Sequence, residues 1–146
     1  MSTTKAVIGY QSAFYTGVAG SPPTYTAVAE LTQIQIQDYT ISEIDATNLA
    51  SPSATEEVIP GLVKTGTIDI MGNYIGDTTQ QNLDTLATGR TSFPFKVTTP
   101  ASGTTTLTVT GTGFFTKMEK GPFEPNKKSE FKATLKITGV LTYAVA

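Results

Sequence analysis

The chain has 146 residues, of which 15% are charged; its formal net charge is −2, and it contains neither cysteine nor histidine. These figures exclude disulfides, thiolate or zinc–thiolate sites and the usual general base near neutral pH, and they argue against a basic nucleic-acid-binding surface. The length suits one domain, and threonine, roughly one residue in five, joins Ile, Val, Phe and Tyr in favouring strands over helices. No apolar run approaches the ~20 residues of a membrane span. The opening MSTTKAVIGY lacks the apolar core of a secretory signal. A soluble, mostly β chain made in the cytoplasm is expected.

In chain order, residues 1–27 read as an N-terminal arm or first strand. Tyr10, Phe14 and Tyr15 could begin a strand, and Pro22-Pro23 breaks it. From Val28 to Gln37 apolar and polar residues alternate, which predicts a strand with Gln33, Gln35 and Gln37 on one wet, uncharged face. Residues 38–60 then show no sustained period. They carry Asp38, Glu43, Asp45, Glu56 and Glu57 beside Tyr39, Ile41, Ile44 and Leu49, and are expected to form a long loop. A loop of ~20 residues usually has a function. Its apolar side chains call for a cover, either the loop's own domain or another subunit, and the spacing leaves both open.

Alternation resumes over Thr65–Tyr74, with Ile68 and Ile70 opposite Thr67, Asp69 and Met71. Asp77 is a good N-cap, Leu83, Leu86 and Ala87 recur at helical spacing, and Gly89 supplies a stop, so a helix is expected over 77–89. Ser92–Thr98 reads as a strand that Pro94 should confine to an edge or a bulge. Thr104–Thr116 and Ser129–Tyr143 are long alternating strands, suited to an antiparallel hairpin. Gly111 and Gly113 inside the first of these signal a bulge or a close backbone approach rather than a dinucleotide loop, because no helix follows.

An enzyme would have to rest on carboxylates alone, such as a pair drawn from Asp38, Glu43, Asp45, Glu56 and Glu57. These lie in a stretch without tryptophan and without the tightly spaced acidic pattern of a calcium loop. No catalytic, cofactor or metal site is expected. What remains is surface: a wide polar sheet whose edges invite another chain.

One stretch also carries a resemblance. Ile44, Asp45 and Thr47, followed by Glu57, Ile59, Gly61, Leu62, Lys64 and Gly66, resemble the core pattern of siphophage (lambda-type) major tail tube proteins. The likeness continues in order through the helix near Thr78–Ala87 to a last strand ending Ile137-Thr138-Gly139. It implies a two-sheet antiparallel β-sandwich or barrel with one short flanking helix and a long protruding loop; the extra immunoglobulin-like domain that some members of that family carry is not expected, a departure from the pattern. It also implies a structural virion protein, non-enzymatic and without cofactors, whose hexameric rings stack into the phage tail tube for genome delivery. Its partners would be copies of itself, tail tip or initiator, tape measure and terminator proteins, with DNA passing unbound and no membrane.

On that resemblance, Tyr39, Ile41, Glu43, Ile44, Asp45, Thr47, Leu49, Glu56 and Glu57 form the contact between subunits and rings. Gln33, Gln35, Gln37, Thr67, Asp69, Thr108, Thr110, Lys132 and Thr134 are candidates for the lumen wall. A DNA conduit should lack free basic groups, since phosphate contacts dominate non-specific DNA affinity. Lys132 and Lys136 run against this unless they point outward or pair with Asp69 or Glu30. Two alternatives stand beside it: a monomeric β-sandwich adhesion or carbohydrate-binding module, and a tube protein of a contractile tail or type VI secretion apparatus.

Overall fold

A computed structural model describes residues 7–20 and 22–146. The first six residues of the expected N-terminal arm lie outside the described residues. The rest of that arm supplies two strands, β1 (Ala13–Val18) and β2 (Thr24–Ala27). The chain continues through β3 (Leu31–Asp45), β4 (Val58–Asn73), α1 (Thr78–Gly89), β5 (Phe93–Pro100), β6 (Thr106–Lys120) and β7 (Glu130–Val145).

The strands form one seven-stranded sheet in the order β2-β1-β5-β6-β7-β4-β3, antiparallel at every described pairing. The expected two-sheet sandwich is therefore replaced by a single sheet that supplies its own cover. It curls until the segment before β1 faces β3 across a crevice of about 750 Å³, lined by Tyr10, Ser12, Leu31, Ile34, Ile36 and Val97. The Val28 amide donates to the Phe14 carbonyl at 2.9 Å near this seam. Helix α1 packs on the core face, with Leu83 fully buried and Leu86 and Ala87 against the core.

The core consists of alternate residues from five strands. Phe14, Phe95, Val97, Val109, Phe115, Ile68, Ile70, Leu135 and Ile137 are all buried. Burying side chains of this size contributes roughly 1.5–3 kcal/mol each. Gly113 makes room where β6 lies beside β7, since a Cβ there would lie 2.6 Å from Leu135 Cδ2. The close approach read from the glycines is thus present at that position.

Pro94 does not lie on an edge strand, because β5 is interior, between β1 and β6. The β1 ladder ends at Thr16↔Phe95, one residue before Pro94 would need to join it, while β6 pairs Pro94 with Thr112. The missing N–H is accommodated because the β1–β5 ladder ends before it, while β1 itself runs on to Val18 paired with β2. The helix begins as expected, with Asp77 Oδ1 accepting from the Gln80 amide at 3.0 Å. At its other end the left-handed cap falls on Arg90 (φ 53°), one residue beyond Gly89.

Candidate assembly surfaces

The expected loop over 38–60 is strand at both ends, over 38–45 and 58–60. β3 and β4 stay paired past the body of the sheet, from Leu31↔Gly72 through Tyr39↔Thr65 and Ile41↔Val63 to Ile44↔Ile59 and Asp45↔Val58. Only residues 46–57 connect them, with a 3-10 turn at Pro52–Ala54. β7 pairs with β4 no further than Thr67↔Lys136. Residues 58–66 and their β3 partners therefore form a two-stranded ribbon that leaves the sheet for ~30 Å at the usual strand rise. Gly66 lies at the departure point, where a Cβ would collide with the Gln37 carbonyl oxygen.

The ribbon is apolar on both sides. Ile41 and Ile44, three residues apart along a strand, project to opposite faces, and each is about half exposed at 51% and 49%. Ile59, Val63 and Leu62 are likewise exposed, Leu62 at 84%, and Leu49 in the connection is fully exposed. A two-stranded ribbon is marginal alone in water, and this one forgoes its hydrophobic stabilisation until something covers it. Its acids, Glu43, Asp45, Glu56 and Glu57, are also grouped here. Asp45 is held below its usual carboxylate range by hydrogen bonds from Thr47, whose amide donates at 2.9 Å. Glu57 Oε2 accepts from Ser51 Oγ at 3.0 Å and from Asn48 Nδ2 at 3.4 Å, which ties the connection together. Tyr39 stands at the ribbon's base, beside a small apolar notch of about 130 Å³ between ribbon and β7. Across that notch the Tyr143 hydroxyl donates to Asp38.

The candidate wall residues share one face, away from helix and core. Gln35, Asp69, Thr134 and Lys117 form one row across β3, β4, β7 and β6, and Gln33, Met71, Lys132 and Glu119 form the next. Gln37, Thr67 and Lys136 make a third row, and Thr110 and Thr108 lie opposite Lys96 and Thr98 further round the sheet. Lys132 and Lys136 thus stand on the polar face, not on the core side. Thr134 Oγ1 donates to Asp69 at 2.9 Å, Lys136 Nζ to the Thr65 carbonyl at 2.5 Å, and Lys117 pairs with Glu119 at 2.8 Å. Sequence reasoning did not single out Lys117 or Glu119. A register shift between Phe115 and Lys117 turns both toward this face, and a strict period of two cannot reveal it.

Gln80 is a second residue that sequence reasoning missed. It is 3% exposed, and its side-chain oxygen accepts from the amides of Ile75 and Gly76 at 2.9 and 3.0 Å. Its amide nitrogen donates to the carbonyls of Asn73 and Ala29 at 2.8 and 3.1 Å. It joins the helix to the ends of β4 and of the β2–β3 connection. Among the described residues no group of three or more acidic, histidine or cysteine side chains gathers to hold a metal, and no helix is long and apolar enough to cross a membrane.

No family model matches this chain, and no curated protein matches it by sequence. Solved structures do match in fold. A chain from the tail of an empty gene transfer agent particle, refined with C6 symmetry, superposes with a TM-score of 0.78 at 18% identity, covering 95% of this chain and 99% of that one. A chain of the SPP1 tail tube gives 0.68 at 10% identity, over 97% of this chain and 80% of that one. One from the sheath–tube complex of an extracellular contractile injection system gives 0.67 at 11%, over 97% and 93%. The curled sheet with its helix and ribbon is a tail-tube-like fold.

Proposed function

We propose that the chain is the building block of a tail tube in a phage-like particle, assembling as six-fold rings that stack into a conduit for genome delivery. The observation that carries this reading is the ribbon, which exposes Ile41, Ile44, Ile59 and Leu62 on both faces in a chain whose fold matches those of C6 tail structures. In the assembled tube the ribbon, with Tyr39, Glu43, Asp45, Thr47, Leu49, Glu56 and Glu57, lies against neighbouring subunits of the same and the adjacent ring. The long β3 edge offers unpaired backbone for the sheet of the next subunit, which closes the ring. The polar face, with Gln33, Gln35, Gln37, Thr67, Asp69, Thr108, Thr110, Lys132 and Thr134, then lines the lumen. Initiator, tape measure and terminator proteins are the further partners of such a tube.

The narrower lambda-type reading rests on the sequence pattern from Ile44 to Gly66, since contractile injection systems share the fold. The test is sedimentation of concentrated wild-type protein beside Ile44→Asp/Leu62→Asp. Wild type is expected to sediment as polymer and the variant as a folded monomer. Equal polymer in both would remove the ribbon from the contact.

A further inference from the structure

The polar face carries four lysines, Lys96, Lys117, Lys132 and Lys136; Lys96, Lys117 and Lys136 each touch a neighbour in their own chain, and Lys132 stands opposite Glu119 in the ladder. Lys96 Nζ lies 4.5 Å from the centre of the Tyr15 ring and 5.0 Å from that of Tyr25, within cation–π range of both. Lys136 donates to the Thr65 carbonyl at 2.5 Å. Lys117 pairs with Glu119 at 2.8 Å, and Glu119 is the direct cross-strand partner of Lys132. Asp69 lies in the same row as Lys117, one strand beyond Thr134. Asp69, Lys117, Glu119 and Lys132 surround one shallow depression of about 270 Å³, so two positive and two negative charges share one patch across β4, β7 and β6.

The directions of titration agree with this geometry. The Glu119 carboxylate raises the Lys117 pKa, and Lys117 and then Lys132 hold Glu119 below its usual range. Opposite charges this close present a polyanion with almost no net field a few ångströms away, while a free lysine gains by displacing counterions from phosphate.

We propose that this face is built to lie alongside double-stranded DNA without retaining it, and that Asp69 and Glu119 serve as caps that keep Lys117 and Lys132 from binding phosphate. The role as a passage wall rests on the tube reading above, but the capping can be measured on the isolated protein.

The experiment is binding of a short DNA duplex at low salt by wild type and by Asp69→Asn/Glu119→Gln, with circular dichroism confirming that both are folded. The capped face predicts at least a tenfold gain in affinity for the variant and a steeper salt dependence, by about two phosphate contacts for the two lysines released. Adding Lys117→Gln and Lys132→Gln to that variant should abolish the gain. Glu43→Gln/Glu56→Gln changes net charge equally on the ribbon, where neither acid forms a described salt bridge, and should bind no better than wild type.

Equal gains in the ribbon control would make the effect one of net charge and overturn the proposal, as would a folded Asp69/Glu119 variant that binds no DNA. Tube formation is read separately. Loss of DNA-specific capping with tubes intact refutes only this inference, whereas a DNA gain in a chain that never polymerises refutes the conduit.

Discussion

Gln80 joins α1 to two separate stretches of chain with four hydrogen bonds from one buried amide. Replacing it by Leu keeps the bulk but leaves buried backbone groups without partners. We expect a loss of about 2–4 kcal/mol, read as a lower urea midpoint at unchanged slope. An unshifted midpoint would show that water replaces the amide at no cost. The sequence hides this residue because Thr79, Gln80, Gln81 and Asn82 read together as a solvated helix face. Only the helix's placement over the end of β4 buries one of them.

Tyr143 supplies a second test at this scale. Burial, followed by its hydrogen bond to Asp38, raises its pKa from about 10 to about 12. A raised folded pKa means that the contribution is fully present below about pH 10 and is lost as pH climbs toward 12. Ultraviolet titration should therefore show one late-ionising tyrosine that disappears in Tyr143→Phe. Titration of that tyrosine near pH 10 would mean that the bridge across the notch is open in solution.

At the scale of elements, most strands and the helix were legible, because their faces alternate or recur at helical spacing and both patterns persist in the fold. The ribbon was not legible, for a local reason. At the register shift opposite Ser42 the extra residue lies in β4, where Gly61 and Leu62 face one β3 residue and the period of two breaks, and Pro60-Gly61 sits inside β4 where a turn would be read. Pro60 is tolerated there because β4 has lost β7 and needs hydrogen bonds on one side only. The sandwich expectation failed differently, since alternation specifies one buried face but not whether a second sheet or the sheet's own curvature covers it.

Two predictions belong to this scale. Replacing residues 41–63 by an Asn-Gly turn, which joins the paired Thr40 and Lys64, should leave a folded monomer that does not stack, because the core residues all lie outside that stretch. Loss of the β-type circular dichroism spectrum would instead make the ribbon part of the folding unit. Leu135→Asp places a charge at a site 1% exposed in the centre of β7 and should prevent folding, and an unchanged melting curve would contradict the assigned core.

At the scale of the whole molecule, three surfaces divide the work. The core face binds the helix, the ribbon and β3 edge are left apolar or unpaired, and the polar face holds its lysines in check. A monomer has little use for the second of these, and a tube has a use for all three. The candidate wall was partly legible from the Gln and Thr stripes. Its charge balance was not, because the caps come from β4 and β6 on either side of β7 and meet only in the assembled sheet.

The most direct test is cryo-electron microscopy of the concentrated protein, seeded with tail-tip complexes if it stays dispersed. The account predicts hollow tubes of stacked six-fold rings, with Gln35, Asp69 and Lys132 facing the lumen and each ribbon lying against a neighbouring subunit. Tubes with that face outward, or a monomer that no seed converts, would contradict it.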